Sequence, residues 1–368
     1  MKPLRIGINA LYLIPGGVGG TEIYLRHLLR AMAQVDKENE YVVFTNRETG
    51  ADITPEQANF TTSVQPIAAA NRIGRILWEQ TGLPVAVARR RIDVLLNPGF
   101  TAPLLCSAPM VTVFHDMQHK RHPEYFRWYD LPFWRVFLFA SAMRPGHLIA
   151  VSTATRDDML NHYPIVRERI EVIPHGVSEE FFRLGAARDG DYILCVSTLH
   201  PHKNLDQLIR VFARMHRQIP GLRLVIAGMR GFHAGALAEL IQSLDMNRVI
   251  ELTGWIETSK LLDLYRHARA FCYPSIFEGF GMPILEAMAA ALPVVCANRE
   301  PMTWVAGGAA ILFDPASDDD LLRAMHCALK DEEICKLGPS RARQFSWQAA
   351  AQATLAALRK KASAQEVF

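Results

Sequence analysis

Short β-branched runs alternate with longer helical stretches along almost the whole chain, and the alternation stops and restarts once. In the first half the strand candidates are residues 4–9, 41–45, 92–97, 110–115, 147–152 and 170–173, with helical stretches such as 21–35 and 72–91 between them. A ragged polar stretch, 178–191, follows. The pattern then resumes with 192–197, 222–227, 249–252, 270–273, 293–297 and 310–313. Uninterrupted apolar strands separated by helices mean a parallel sheet covered on both faces. A chain of 368 residues is also long for one core. The expectation is an α/β protein of two doubly wound, Rossmann-like domains, 1–176 and 177–345. A last helix within 346–368 has no strand after it and can pack on either domain, the first included.

Composition narrows the function classes. Half the residues are hydrophobic and 21% are charged, which is globular. A net charge of +3 gives no argument for nucleic acid. The six cysteines are scattered without a C-x-x-C pair, as expected of buried thiols in a reducing compartment rather than a disulfide or zinc framework. Lys2 and Arg5 precede an apolar stretch, but Asn9 breaks it and Pro15-Gly16-Gly17 follows, so a first strand is expected and not a signal peptide. The apolar run 132–143 is interrupted by Arg135 and falls short of the ~20 residues needed to span a bilayer. The expected location is cytoplasmic, with at most a peripheral membrane contact.

In open α/β sheets ligands bind outside the carboxyl ends of the strands, so two such domains are expected to face one another across a cleft. Four motifs lie at strand ends. Residues 15–22 form a glycine loop between the first strand and the first helix. Gly17 and Gly19 fit a dinucleotide fingerprint, but Glu22 stands at its third glycine and Thr45-Asn46 ends the second strand without an acid. The competing reading is a plain glycine turn. His115-Asp116 ends another strand; His115 can bond a sugar hydroxyl or serve as a structural histidine. His200-Pro201-His202-Lys203-Asn204 opens a helix, with Asn204 at the N-cap position and Lys203 suited to a phosphate clamp; solvated helix charge is the alternative.

The most specific motif runs from Ser275 to Glu286. Pro283 fits the first turn of a helix, Gly279 and Gly281 expose backbone amides at its N-terminus, and Glu278 and Glu286 bracket them. This pattern, P-S-x-x-E-G-F-G-M-P-x-L-E-A-M, resembles the retaining GT-B glycosyltransferases of glycosyltransferase family 4, mannosyltransferases among them. The resemblance extends over nearly the whole chain through the glycine loop, His115, the loop around Lys203, Thr253-Gly254-Trp255 and 273–297.

The resemblance implies a transferase using a nucleotide-diphosphate sugar. Gly17 and Gly19 would approach the donor diphosphate and the acceptor. His115 would contact the transferred sugar, and Lys203 would neutralise the diphosphate. Glu278 and the amides of Gly279, Phe280 and Gly281 would hold the sugar hydroxyls, and Glu286 the ribose. Thr198 stands where many members carry an arginine, and either His202 or Arg230 could supply that charge. The segment 198–203 leans toward GDP-mannose. No D-x-D-like carboxylate pair ends a strand, so metal-independent departure and no cofactor are expected. A glycan or lipid-linked acceptor, as in surface polysaccharide biosynthesis, is the expected partner. The stretch 119–144 mixes arginines and lysines with aromatics, which reads as a helix packed in the core or as an interfacial membrane contact. The alternatives are a nucleotide-sugar epimerase, a dehydrogenase weakened by the failed fingerprint, and a non-catalytic sugar-nucleotide binder.

Overall fold

The computed structural model describes residues 2–17, 19–126, 128–144 and 146–363. Val18 of the glycine loop and Arg127 of the aromatic stretch lie outside the described residues, as do the last five positions of 346–368. The chain divides into two compact units, one running to Gly176 and resuming at Trp347, the other Val177–Ser346.

The first unit is a seven-stranded parallel sheet: β1 (Arg5–Asn9), β2 (Glu40–Thr45), β3 (Phe60–Val64), β4 (Val94–Asn97), β5 (Met110–Phe114), β6 (His147–Ala150) and β7 (Ile170–Val172). Its order is β3-β2-β1-β4-β5-β6-β7. The second is a six-stranded parallel sheet: β8 (Tyr192–Val196), β9 (Arg223–Ala227), β10 (Ile250–Gly254), β11 (Ala270–Tyr273), β12 (Val294–Ala297) and β13 (Ile311–Phe313), ordered β10-β9-β8-β11-β12-β13. Central strands such as β4, β5, β11 and β12 are buried at every residue, which is why they read as continuous apolar runs. Strand β3 was not expected. Its sequence, Phe-Thr-Thr-Ser-Val, lies at the sheet edge, where one neighbour and partial exposure suffice.

The strand order reverses between β1 and β4 in the first sheet and between β8 and β11 in the second. In open α/β sheets such switch points, at the carboxyl ends of the strands, are where ligands bind. The helices α1 (Gly20–Val35) and α2 (Arg72–Arg89) belong to the first unit. The final helix, Trp347–Ser363, packs along α1. It buries Trp347, Ala350, Ala351, Thr354, Leu355 and Leu358, one stripe at helical spacing. Trp347 stacks on His27 at 5.2 Å.

The helix Leu131–Met143 buries Leu138, Ser141 and Ala142 but leaves Val136 and Phe139 exposed, as are Trp128 (84% exposed) and Tyr129 before it. Among the described residues no helix is long and apolar enough to cross a membrane.

Candidate active site

Strands β8 and β11 flank the switch point of the second sheet, and the two motif-bearing loops leave from their carboxyl ends. After β8 the chain runs through Thr198 into a single 3-10 turn, Pro201–Lys203, closed by the Lys203 amide on the His200 carbonyl (3.0 Å). Asn204 takes a left-handed conformation (φ 54°). It occupies the N-cap position of the helix Leu205–Gln218, but its side chain donates to Gln207 (2.6 Å) and caps nothing. After β11 the chain turns back on this loop. The Ile276 amide donates to the His202 carbonyl (2.9 Å), and the Ser275 hydroxyl reaches the same oxygen (3.2 Å). Two loops distant in sequence are thereby fixed to one another.

That join brings Lys203 and Glu278 together. Lys203 Nζ donates to Glu278 Oε1 at 2.5 Å, and the side chains are 11% and 13% exposed. The Tyr273 hydroxyl donates to the same carboxylate oxygen at 2.7 Å. Burial alone would raise the Glu278 carboxyl. The Lys203 ammonium beside it outweighs burial and holds it below its ordinary value. Glu278 is thus an ionised, oriented acceptor. His202 is buried, edge-on to Phe277 and stacked on His200; Arg230 is exposed beyond β9.

Gly281, at φ 105°, precedes the helix Met282–Ala289, whose first turn holds Pro283. Phe280 is buried against Trp304 and Phe345. Its ring anchors the segment, leaving only its backbone to face a ligand. Glu286, one turn into the helix, accepts from the Tyr265 hydroxyl (2.8 Å). Burial pushes its carboxyl up to about 7, the Tyr265 bond only partly opposing this. The two glutamates therefore differ in charge near neutral pH. Gly228, after β9, makes a further close approach: a Cβ there would stand 2.1 Å from the carbonyl oxygen of Ser197, the first residue past β8 on the way to the basic loop.

In the first unit the glycine loop is a set of turns. Gly16 and Gly19 take positive φ (70° and 64°), and the Gly17 amide donates to the Ile14 carbonyl (2.8 Å). Glu22 is buried, accepts from the Gly16 amide (2.9 Å) and pairs with Arg26 (2.9 Å). The residue that breaks the dinucleotide fingerprint thus ties down this loop. His115 is 7% exposed, with its Nε2 2.8 Å from the Pro98 carbonyl oxygen and its ring among Tyr24, Phe100 and His175. That bond makes Nε2 the protonated nitrogen and leaves Nδ1 as an acceptor.

Sequence reasoning missed Tyr273 and Tyr265, gave Ser275 no role within the motif it opens, and missed the anchoring role of Glu22. Tyr273 carried a signal, being the last residue of a buried strand immediately before the motif. Among the described residues no three His, Cys, Asp or Glu side chains gather as metal ligands. A surface cleft of about 400 Å³ lined by Leu4, Asp93 and Arg359 lies at the amino ends of β1 and β4, away from these groups.

Residues 18–181 match the family model described as Glycosyltransferase Family 4, and residues 177–345 match the one described as Glycosyl transferases group 1. The O-antigen chain mannosyltransferase B of Escherichia coli is 28% identical over 65% of this chain and 67% of its own. The MMP alpha-(1->4)-mannosyltransferase of Mycolicibacterium hassiacum is 27% identical over 68% of this chain and 65% of its own. The matches thus span about two thirds of these relatives' lengths. The structure of Anabaena Alr3699/HepE in complex with UDP and glucose superimposes with a TM-score of 0.74 at 20% identity, covering 97% of this chain and 99% of that one.

Proposed function

The chain belongs to the family 4 glycosyltransferases of the GT-B fold, and we propose that it transfers a hexose with retention, mannose from GDP-mannose, to a glycan or lipid-linked acceptor in surface polysaccharide biosynthesis. The observation that carries this reading is the Lys203–Glu278 pair at the switch point of the second sheet. A cation held beside an ionised carboxylate matches a donor with a diphosphate at one end and sugar hydroxyls at the other. The two mannosyltransferase relatives and the segment 198–203 support mannose.

In this reading Lys203 stabilises the charge growing on the departing diphosphate. The bond from the anomeric carbon to the phosphate oxygen breaks with its electron pair leaving on the diphosphate. The acceptor hydroxyl attacks the same face, and the departing phosphate oxygen takes its proton. Glu278 orients the sugar hydroxyls and the Gly279–Gly281 amides assist. In this reading Glu278 orients the sugar and is not a covalent nucleophile, with its Oε1 engaged by Lys203 and Tyr273. Glu286 receives the ribose hydroxyls, Gly17 and Gly19 border the reacting groups, and His115 accepts a hydroxyl of the transferred sugar. Lys203 supplies the positive charge, so no metal is required. A peripheral contact at the inner face of a membrane is supported by the exposed Trp128, Tyr129 and Phe139 and by the exposed Arg135 one turn before Phe139.

Thermal denaturation against a panel of nucleoside diphosphates and their sugars tests the donor. GDP and GDP-mannose should stabilise the chain by about 2.7 kcal/mol at a hundredfold excess over Kd. Absence of any shift across the panel overturns the reading. Stabilisation by another base alone replaces the donor.

A further inference from the structure

A second polar cluster stands at the switch point of the first sheet, and the transfer proposed above leaves it without a role. Glu79 of α2 is 3% exposed. Its carboxylate accepts from Asn9 Nδ2 (2.9 Å), at the end of β1, and from the Thr101 hydroxyl (2.9 and 3.0 Å). Asn9 also donates to Asn97 Oδ1 (3.1 Å), at the end of β4. One turn earlier on the same face of α2 stands Arg75. Its guanidinium is half-buried, makes no hydrogen bond or ion pair, and keeps its Nε fully buried without a partner.

The neighbours repeat this pattern. Arg72, three residues away, pairs through Nη1 with Asp130 (3.0 Å) and lies over the Trp134 ring, but its buried Nη2 has no partner. Asn97 Nδ2 is buried and idle as well. Tyr12 links the corner to the glycine loop: its hydroxyl donates to the Thr21 carbonyl (3.3 Å), and its ring packs so closely on Gly99 that a Cβ there would meet it at 2.4 Å.

Buried polar groups are almost always hydrogen-bonded in native proteins. Three donors without a protein partner in one corner, two of them arginine, form a set that an oxyanion would complete. Glu79 attracts Arg75 across one helical turn, but no hydrogen bond joins them, because Asn9 and Thr101 hold the carboxylate oxygens. A guanidinium presents a planar fork of N–H groups that matches an oxyanion, and the switch point is where such a sheet takes its ligand. We propose that Arg75, with Arg72 beside it, is a phosphate-binding subsite of the first unit that holds a phosphate carried by the acceptor. Only the word acceptor rests on the glycosyltransferase reading; phosphate binding at Arg75 stands apart from it.

The test titrates the full chain with inorganic phosphate and with farnesyl phosphate in micelles, followed by phosphorus NMR. Wild-type protein should bind, and Arg75→Gln should weaken binding at least about tenfold, the loss expected for a charge-assisted hydrogen bond. Arg75→Lys should fall between them and covers the case in which the glutamine variant does not fold. Arg89→Gln, at the exposed last turn of α2, should bind as wild type does. GDP binding, which belongs to the second unit, should be unchanged in every variant. Tighter farnesyl phosphate binding assigns the phosphate to a lipid, and equal affinities assign it to a soluble acceptor. No phosphate binding by wild-type protein overturns the subsite, as does an equal loss in Arg89→Gln. Phosphate binding without any nucleotide binding overturns the proposed transfer and leaves the subsite standing.

Discussion

Lys203 and Glu278 lie 75 positions apart in the sequence and 2.5 Å apart in space. The ammonium holds the carboxylate ionised, and the carboxylate holds the ammonium at the point where two loops leave the sheet. Neither position is tolerable without the other, because each charge is largely buried.

Lys203→Ala and Glu278→Ala should therefore each act on two readouts. Removing one partner of a buried pair costs about 3–5 kcal/mol of stability. Removing a transition-state stabiliser lowers transfer by about 10²–10³-fold or more. The double variant Lys203→Met, Glu278→Gln should recover much of the stability and none of the transfer. Urea unfolding and initial rates on the purified variants separate the two effects. A Glu278→Ala enzyme working at the wild-type rate would make the site assignment wrong.

Glu286 gives a pH dependence of opposite sign to the usual carboxylate. Its folded carboxyl is pushed up to about 7, against 4.5 ordinarily, so between these values the folded state holds the proton more tightly. The stabilisation is fully present below about pH 4.5 and is lost as pH rises through 7, a change of about 3 kcal/mol. Glu286→Gln should be as stable as wild type at pH 5 and more stable at pH 8. It should also bind nucleoside diphosphate more weakly at pH 8, where the ionised carboxylate would accept the ribose hydroxyls. Denaturation and titration at the two pH values check both.

The sequence displayed the two-sheet plan because buried parallel strands must be apolar on both faces, as β4, β5, β11 and β12 are. It concealed β3, since an edge strand can be built from Thr and Ser. Glu278 and Lys203 were legible because each sits in a loop with glycine or proline that marks a strand end. Arg75 and Glu79 were not. On a helix such residues look like a solvated face, and only the tertiary position of α2 under Asn9 and Thr101 buries them. The left-handed Asn204 was equally hidden, because the same residue type suits an N-cap.

Gly228 should resist substitution for reasons of space. A methyl group would press against the Ser197 carbonyl, and the φ of 151° disfavours any side chain. Gly228→Ala should shift the exit of β8, lowering transfer and costing at least about 1–2 kcal/mol. Gly281→Ala meets nothing closer than 3.5 Å. Its cost should be conformational only, about 1 kcal/mol. The larger loss is expected at Gly228, and reversal of that order would remove the close-packing account.

The exposed aromatics should confer binding to anionic vesicles. Trp128, Tyr129 and Phe139 are exposed, and the exposed Arg135 lies one helical turn before Phe139. Flotation with phosphatidylglycerol vesicles at low salt should recover the wild-type chain. The Trp128→Ser, Phe139→Ser double variant should stay at the bottom of the gradient with its transfer to soluble acceptors intact. A wild-type chain that fails to float at low salt has no such contact.

His115 makes the opposite demand on pH. Burial pushes its imidazole down to about 4 from 6.5, the Pro98 carbonyl only partly opposing this, and burial also holds His175 beside it well below its ordinary value. The unfolded chain takes up the proton near 6.5 and the folded chain does not. The stabilisation is complete above that value and fades as pH falls toward 4, about 3 kcal/mol for His115. His115→Gln should flatten this acid limb of the stability curve. In catalysis a neutral ring with Nε2 committed to Pro98 can offer only Nδ1, as an acceptor, to a sugar hydroxyl. The rate lost in His115→Gln should then be the same at pH 6 and pH 8. A loss that appears only where the imidazole would be charged contradicts the buried neutral ring, and no loss at either pH leaves His115 a purely structural residue.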